Sequence, residues 1–160
     1  MNAFTALGVS AALTDIMKLQ GIVKPTPIQE ASIPSIFKGK DVIGPSQTGT
    51  GQTLAYLLPV IQRVDTEKNT TQALIMTPTR ELSRQIFDVL RPFAIKLDID
   101  AADIIGGRTI ENQLRKLKRD PAVIIGTPGR LLDHIRRRSL DLSNVKTVIL
   151  DEADQMLANG

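Results

Sequence analysis

The stretch "SQTGTGQT", Ser46 to Thr53, has the residue types and spacing that let a backbone curl around a phosphate. A phosphate loop runs small-x-x-x-x-G-K-[ST]. Here Ser46, Gly51, Gln52 and Thr53 fill the pattern, with Gln47, Thr48, Gly49 and Thr50 between them. Glycines allow consecutive N–H groups to face an anion, and Thr53 can offer its hydroxyl to magnesium. The pattern's lysine is absent. Gln52 stands there, and its amide can hydrogen-bond a phosphate but carries no charge. The apolar "DVIG" before the loop and "TLAYLLP" after it supply the strand-then-helix context that the motif needs. A plain glycine-rich turn remains the alternative on these residues alone.

A second cluster bears on that choice. "VILDEAD" is an apolar strand ending in Asp151 and Glu152. An acid cluster there can cap a helix. Beside a phosphate loop it is the other half of an ATPase site, with Asp151 holding magnesium through water and Glu152 orienting and deprotonating the attacking water. The missing lysine then has a definite cost. A charged hydrogen bond contributes about 1.5–3 kcal/mol. Its loss should weaken nucleotide binding by roughly tenfold to a hundredfold. Turnover should suffer more, because charge grows on the phosphoryl group in the transition state.

Positioning these residues requires strands that end where the loops begin. The expected strands are Asp41–Gly44, Ala73–Thr77, Ala101–Ile105, Ala122–Gly126 and Thr147–Asp151. "ALIM", "AVII" and "VIL" are continuously apolar, as in strands covered on both faces. Helical patterns separate them: "TLAYLLPVIQRV", "RELSRQIFDVLRPF", "TIENQLRKLKRD" and "GRLLDHIRRRSL". This alternation predicts an α/β fold around a parallel sheet. Thr26-Pro27, Thr77-Pro78 and Thr127-Pro128 read as helix starts, threonine as N-cap and proline in the first turn. The last two pairs follow strands directly, so their helices start at the carboxyl edge of the sheet, where ligands of open α/β sheets bind.

Composition narrows the rest. The 42% hydrophobic content of 160 residues fits one domain with a core. Without cysteine, disulfides and thiolate metal sites are excluded, and His134 as sole histidine excludes a multi-histidine metal site. Neither a signal-peptide pattern nor a membrane-length apolar run is present, so the expectation is a soluble cytoplasmic protein without a membrane partner. The net charge of +3 is compatible with a polyanionic partner. The aromatics are only Phe4, Phe37, Tyr56, Phe87 and Phe93, which argues against a base-stacking platform.

"DEAD" is the signature of the DEAD-box RNA helicases, and other stretches agree in order. "GIVKPTPIQ" resembles that family's Q motif, with Phe4 as its upstream aromatic. "PTREL" resembles motif Ia, Gly106-Gly107 the GG motif and "TPGR" motif Ib. The resemblance covers the first RecA-like domain, and implies a RecA-like fold, ATP and Mg2+ as cofactors and RNA as partner. It assigns Phe4, Pro25 and Gln29 to the adenine side of the nucleotide, Gln29 presenting a donor and an acceptor together. Thr26-x-x-Gln29 is also a capping box, and Phe4 also reads as a core anchor. It assigns Pro78, Thr79, Arg80, Gly106, Gly107, Thr127, Gly129 and Arg130 to the RNA backbone, without base readout. Arg80 has an ion pair with Glu81 as its alternative. Arg136, Arg137, Arg138, Lys116, Lys118 and Arg119 read as solvated helix faces.

The family continues past the DEAD motif to a Ser-Ala-Thr motif and a second RecA-like domain with arginine fingers and half of the RNA site. The chain stops at Gly160. The strand leading to Ser-Ala-Thr lies, by this resemblance, between the loop strand and the DEAD strand. Residues 1–160 alone are therefore expected to be marginally stable or self-associating.

Overall fold

The computed structural model describes residues 2–44 and 51–158. It divides into two compact units, Met1–Arg63 and Val64–Gly160.

The first unit is helical. After a short 3-10 turn at Thr5–Leu7 come α1 (Ala11–Leu19), α2 (Pro27–Phe37) and α3 (Gln52–Arg63). The capping box is formed: Thr26 sits at the N-cap of α2 in extended conformation, with Pro27 in the first turn. Helix α3 packs on α2 and buries Leu54, Tyr56, Leu57, Leu58, Val60 and Ile61. A helix apolar on so many sides belongs inside a core. The guanidinium of Arg63 donates to the carbonyls of Ile36 and Phe37, tying the end of α3 to the end of α2. Gln62 fixes the approach to α1, accepting from Ser10 N–H at 2.8 Å and donating to Gly8 O at 3.0 Å.

The expected strand Asp41–Gly44 is not a strand, and Val42 and Ile43 are exposed. An extended segment becomes a strand only where a neighbour supplies a ladder. Every described ladder runs between other segments.

The second unit carries a parallel sheet of four strands in the order β2-β3-β1-β4. They are β1 (Ala73–Met76), β2 (Ala101–Ile104), β3 (Val123–Gly126) and β4 (Thr147–Leu150). The helices are α4 (Arg80–Leu97), α5 (Ile110–Leu117), α6 (Pro128–Arg136) and α7 (Ala153–Ala158). Leu74, Ala102, Ile104 and Ile124 of the sheet form a core cluster with Leu117, Leu131 and Leu140. Helix α4 packs on β2 and β3 and buries Ile86, Leu90, Phe93 and Ala94, which recur at helical spacing on one side.

Strand β3 is buried throughout, as its unbroken apolar run requires. Strand β4 departs from expectation. Val148 and Leu150 are 55% and 51% exposed, so one of its faces is uncovered. It is an edge strand, and α7 buries no residue against it. The start of α4 also departs. Its N-cap is Thr79, whose hydroxyl accepts from Leu82 N–H at 3.2 Å. Thr77 is buried instead, donating to Thr79 O at 2.9 Å while Ser83 Oγ lies 2.7 Å away. Thr77 has only one hydroxyl hydrogen, so Ser83 is the donor in the second bond.

Candidate functional site

The register places the carboxyl ends of the strands level: Met76 is opposite both Gly126 and Leu150, and Gly126 is opposite Ile104. Four loops therefore leave one edge of the second unit. Across the sheet they begin at Gly106-Gly107, Thr127-Pro128, Thr77-Pro78 and Asp151-Glu152. The sequence scatters these residues, and the parallel topology gathers them.

Arg80 opens α4 and is exposed. Its guanidinium lies against the glycine turn. A Cβ added at Gly107 would sit 2.6 Å from Arg80 Nη1, and one at Gly106 would sit 3.0 Å from Nη2. Gly107 also has φ +79, so it needs glycine for conformation as well as for space. Among the described residues Arg80 makes no ion pair, to Glu81 or any other acid. Its charge is thus available beside a turn of backbone amides, a combination suited to phosphate oxygens.

Thr127 caps α6 with no side-chain hydrogen bond, Pro128 starts the helix, and Gly129 has open space around its Cα. Arg130 is committed in part. Its Nη1 donates to Arg108 O and to Gln113 Oε1, each at 3.0 Å. The basic side chains expected on solvated faces are exposed in part, and several also meet acids there. Lys116 pairs with Asp103 at 3.2 Å, Arg119 with Asp100 at 3.6 Å and Arg137 with Asp133 at 3.0 Å.

Asp151 is buried at the end of β4, and its N–H donates to Met76 O at 3.0 Å, extending the ladder by one residue. Glu152 adopts φ +54. A non-glycine residue held in the left-handed region is strained, and such strain concentrates at functional positions. The described residues hold no cluster of three His, Cys, Asp or Glu. Within the second unit, the Asp151 carboxylate is a hard oxygen donor of the kind magnesium takes, alongside water and phosphate.

In the first unit, Ser46, Gln47, Thr48, Gly49 and Thr50 lie outside the described residues. Gly51 is described and informative. It has φ +76, and its carbonyl accepts from Gln29 Nε2 at 2.9 Å and from Ala55 N–H at 3.1 Å. A Cβ at Gly51 would collide with Gln29 Nε2 and reach Thr26 at 3.0 Å. Gln29 Oε1 in turn accepts from Thr26 N–H at 2.9 Å. The Q-motif glutamine, only 2% exposed, therefore couples the α2 capping box to the end of the phosphate loop. Both ends of its amide are engaged within the unit. Pro25 is half-buried, and Gln52 and Thr53 are half-buried in the first turn of α3. Phe4 is fully buried, a placement that the core-anchor alternative accounts for.

One polar cluster escaped the sequence reading. Gln113 is 1% exposed and His134 fully buried, and the two are joined at 2.8 Å through Oε1 and Nε2. Burial, assisted by Arg130 and Arg137 and opposed by Asp133, holds the His134 pKa below the usual histidine range. Stability linked to this group should be complete above that range and fall as pH drops below it, since only the unfolded state protonates readily. The available signal was a glutamine on the apolar stripe of α5, between Ile110 and Leu117.

The family model for DEAD/DEAH box helicases matches residues 26–160. The chain belongs to the DEAD/DEAH box helicase family. It is 46% identical over its full length to the DEAD-box ATP-dependent RNA helicase CshA of Bacillus cereus, and covers 30% of that protein. It is 42% identical over 98% of its length to the ATP-dependent RNA helicase DeaD of Buchnera aphidicola, of which it covers 26%. The crystal structure of the RNA helicase Prp28 from Chaetomium thermophilum, bound to ADP, matches the whole chain. The TM-score is 0.91 at 42% identity, with 40% of that chain covered. The fold is thus the RecA-like one of this family. The chain spans less than a third of the length of CshA or of DeaD.

Proposed function

We propose that this chain is the N-terminal, ATP- and RNA-binding RecA-like domain of an RNA helicase that couples ATP hydrolysis to separation of RNA duplexes. The observation that carries this reading is the carboxyl edge of the sheet. One arginine lies over a glycine turn, one helix start is open at Gly129, and Asp151-Glu152 ends the edge strand. Amides, hydroxyls and guanidinium groups hold a sugar-phosphate backbone without reading bases.

In this reading the loop around Gly51 and Gln52 takes the ATP phosphates, Thr53 and Asp151 take magnesium, and Gln29 faces adenine. Magnesium supplies positive charge to the phosphoryl oxygens when bound. Asp151 positions it, while Glu152 orients the attacking water and accepts its proton. The second RecA-like domain would complete both sites, and cytoplasmic placement belongs to the same reading. A non-catalytic RNA clamp is the second reading, favoured by Gln52 alone. ATP hydrolysis in a chain carrying both domains separates the two.

The RNA assignment is tested by two substitutions. Arg80→Ala should weaken binding of unrelated RNAs alike and lower the salt slope by about one phosphate contact. Gly129→Ala should leave the fold intact or raise its stability by up to about 1 kcal/mol, because alanine favours helix and nothing crowds the site. It should nevertheless weaken RNA, since the Cβ would occupy the space a backbone needs. A sequence-selective loss in the first case, or unchanged affinity in both, contradicts the assignment.

For Gln29→Ala, affinity for ATP and GTP should both fall, because Gly51 loses its anchor. ATP should fall further, because only ATP loses the base contact. Isothermal titration with both nucleotides, alongside circular dichroism of the helices, checks this. Equal losses would leave Gln29 with the anchoring role alone.

A further inference from the structure

We propose that Gln113 is a positioning residue for RNA, one amide that sets the glycine turn and the first turn of α6 relative to each other. The inference rests on the RNA-binding reading above. Gln113 Nε2 donates to Ile105 O at 2.7 Å, the residue immediately before Gly106. Its Oε1 accepts from Arg130 Nη1 at 3.0 Å and from His134 Nε2 at 2.8 Å. Arg130 Nη1 also donates to Arg108 O at 3.0 Å, immediately after Gly107. The carbonyls on both sides of Gly106-Gly107 are therefore held by one connected pair of side chains, Gln113 and Arg130.

The chemistry leaves one arrangement. A guanidinium only donates and a carbonyl only accepts, so the Gln113 oxygen must face Arg130 and its nitrogen Ile105. Two lone pairs on that oxygen are then filled, and His134 must donate from Nε2. In the neutral imidazole Nδ1 is left as an acceptor, and Ser139 Oγ lies 2.8 Å from it. Among the described residues no buried side-chain polar atom lacks a partner. A fully satisfied buried network fixes geometry, and removing its hub leaves several groups unpaired at once. Arg130 is thereby held at one guanidinium nitrogen, which aims the remainder of the group instead of leaving a long side chain to be ordered by RNA.

The test uses the chain with labelled single-stranded RNAs of unrelated sequence, ADP as a nucleotide probe, and temperatures below the melt of every variant. Gln113→Leu should weaken all the RNAs by roughly tenfold and leave ADP affinity unchanged. Arg130→Ala should weaken RNA similarly, and adding Gln113→Leu to it should weaken RNA little further, since the glutamine acts through the arginine. A residue that merely stabilised the fold would not show this non-additivity. Gln113→Glu provides a second variant. It keeps both acceptor contacts, but a carboxylate oxygen replaces the donor to Ile105 O and Arg130 is neutralised, so RNA affinity should fall and His134 should titrate higher. His134 is the only histidine, so its imidazole signal in NMR reads the network without ambiguity. RNA affinity unchanged in either folded variant, or losses that multiply in the double variant, would overturn the proposal. If the unsubstituted chain binds ADP but no RNA, the functional reading fails and this inference with it. A His134 Nε2–H signal lost in Gln113→Leu would then show that the network was described correctly and the ligand was not.

Discussion

Replacing Gln52 by lysine should raise RNA-stimulated ATP hydrolysis by about a hundredfold or more, while tightening ATP by only roughly tenfold to a hundredfold. The separation follows from where the two groups act. In the proposed reading, backbone amides would bind the phosphates of ground state and transition state alike, so affinity would survive the missing lysine. A lysine charge acts most strongly on the charge that develops during phosphoryl transfer, and only such differential binding accelerates chemistry. Gln52 is the first residue of α3, and the carbonyl of the preceding Gly51 is held by Gln29. Lysine is about as good a helix former as glutamine. The measurement is steady-state turnover with ATP, magnesium and RNA, in a chain that carries the second RecA-like domain, alongside equilibrium ATP binding. Full turnover with Gln52 in place, or no gain from lysine, would mean that another cation supplies the charge.

Much of the fold was readable because its signals are local. The runs through Leu74, Ile124 and Ile149 are strand-length and apolar, and the patterns between them have helical spacing, so strand and helix order followed directly. Thr26, Pro27 and Gln29 announced their capping box. Other features depend on what lies next to a segment, which no local pattern records. Asp41–Gly44 has strand composition but no ladder, and β4 looked doubly buried although Val148 and Leu150 are exposed. The site shows the same division. "DEAD", "TPGR" and "PTREL" stood out by motif. Gln113 did not, because its partners Ile105, Arg130 and His134 come from other segments. The tie from Gln29 to Gly51 spans α2 and the loop, and the Q motif by itself gave no hint of it.

Gly126 is where one methyl group should damage the fold most. It is the last residue of β3, the strand between β1 and β2, and it pairs with Met76 on one side and Ile104 on the other. A Cβ there would lie 2.5 Å from Ile104 O and 2.9 Å from the Leu131 side chain. The carbonyl cannot easily withdraw, since it accepts from Thr127 N–H at 3.3 Å. The Gly126 carbonyl accepts from Thr77 N–H at 3.0 Å, so that side is tied as well. Leu131 cannot yield freely either, being 1% exposed within the core of the second unit. Gly126→Ala should therefore cost about 1–3 kcal/mol, the usual penalty for overpacking a well-packed core. For a chain of this size the melting temperature should fall by on the order of 2–12 °C. Three positions along, the same change at Gly129 meets nothing within 4 Å. The pair makes a controlled comparison by reversible denaturant unfolding: one glycine required by the sheet, the other left open for a ligand. Equal stability of Gly126→Ala and Gly129→Ala would show that the strand end relaxes around the methyl.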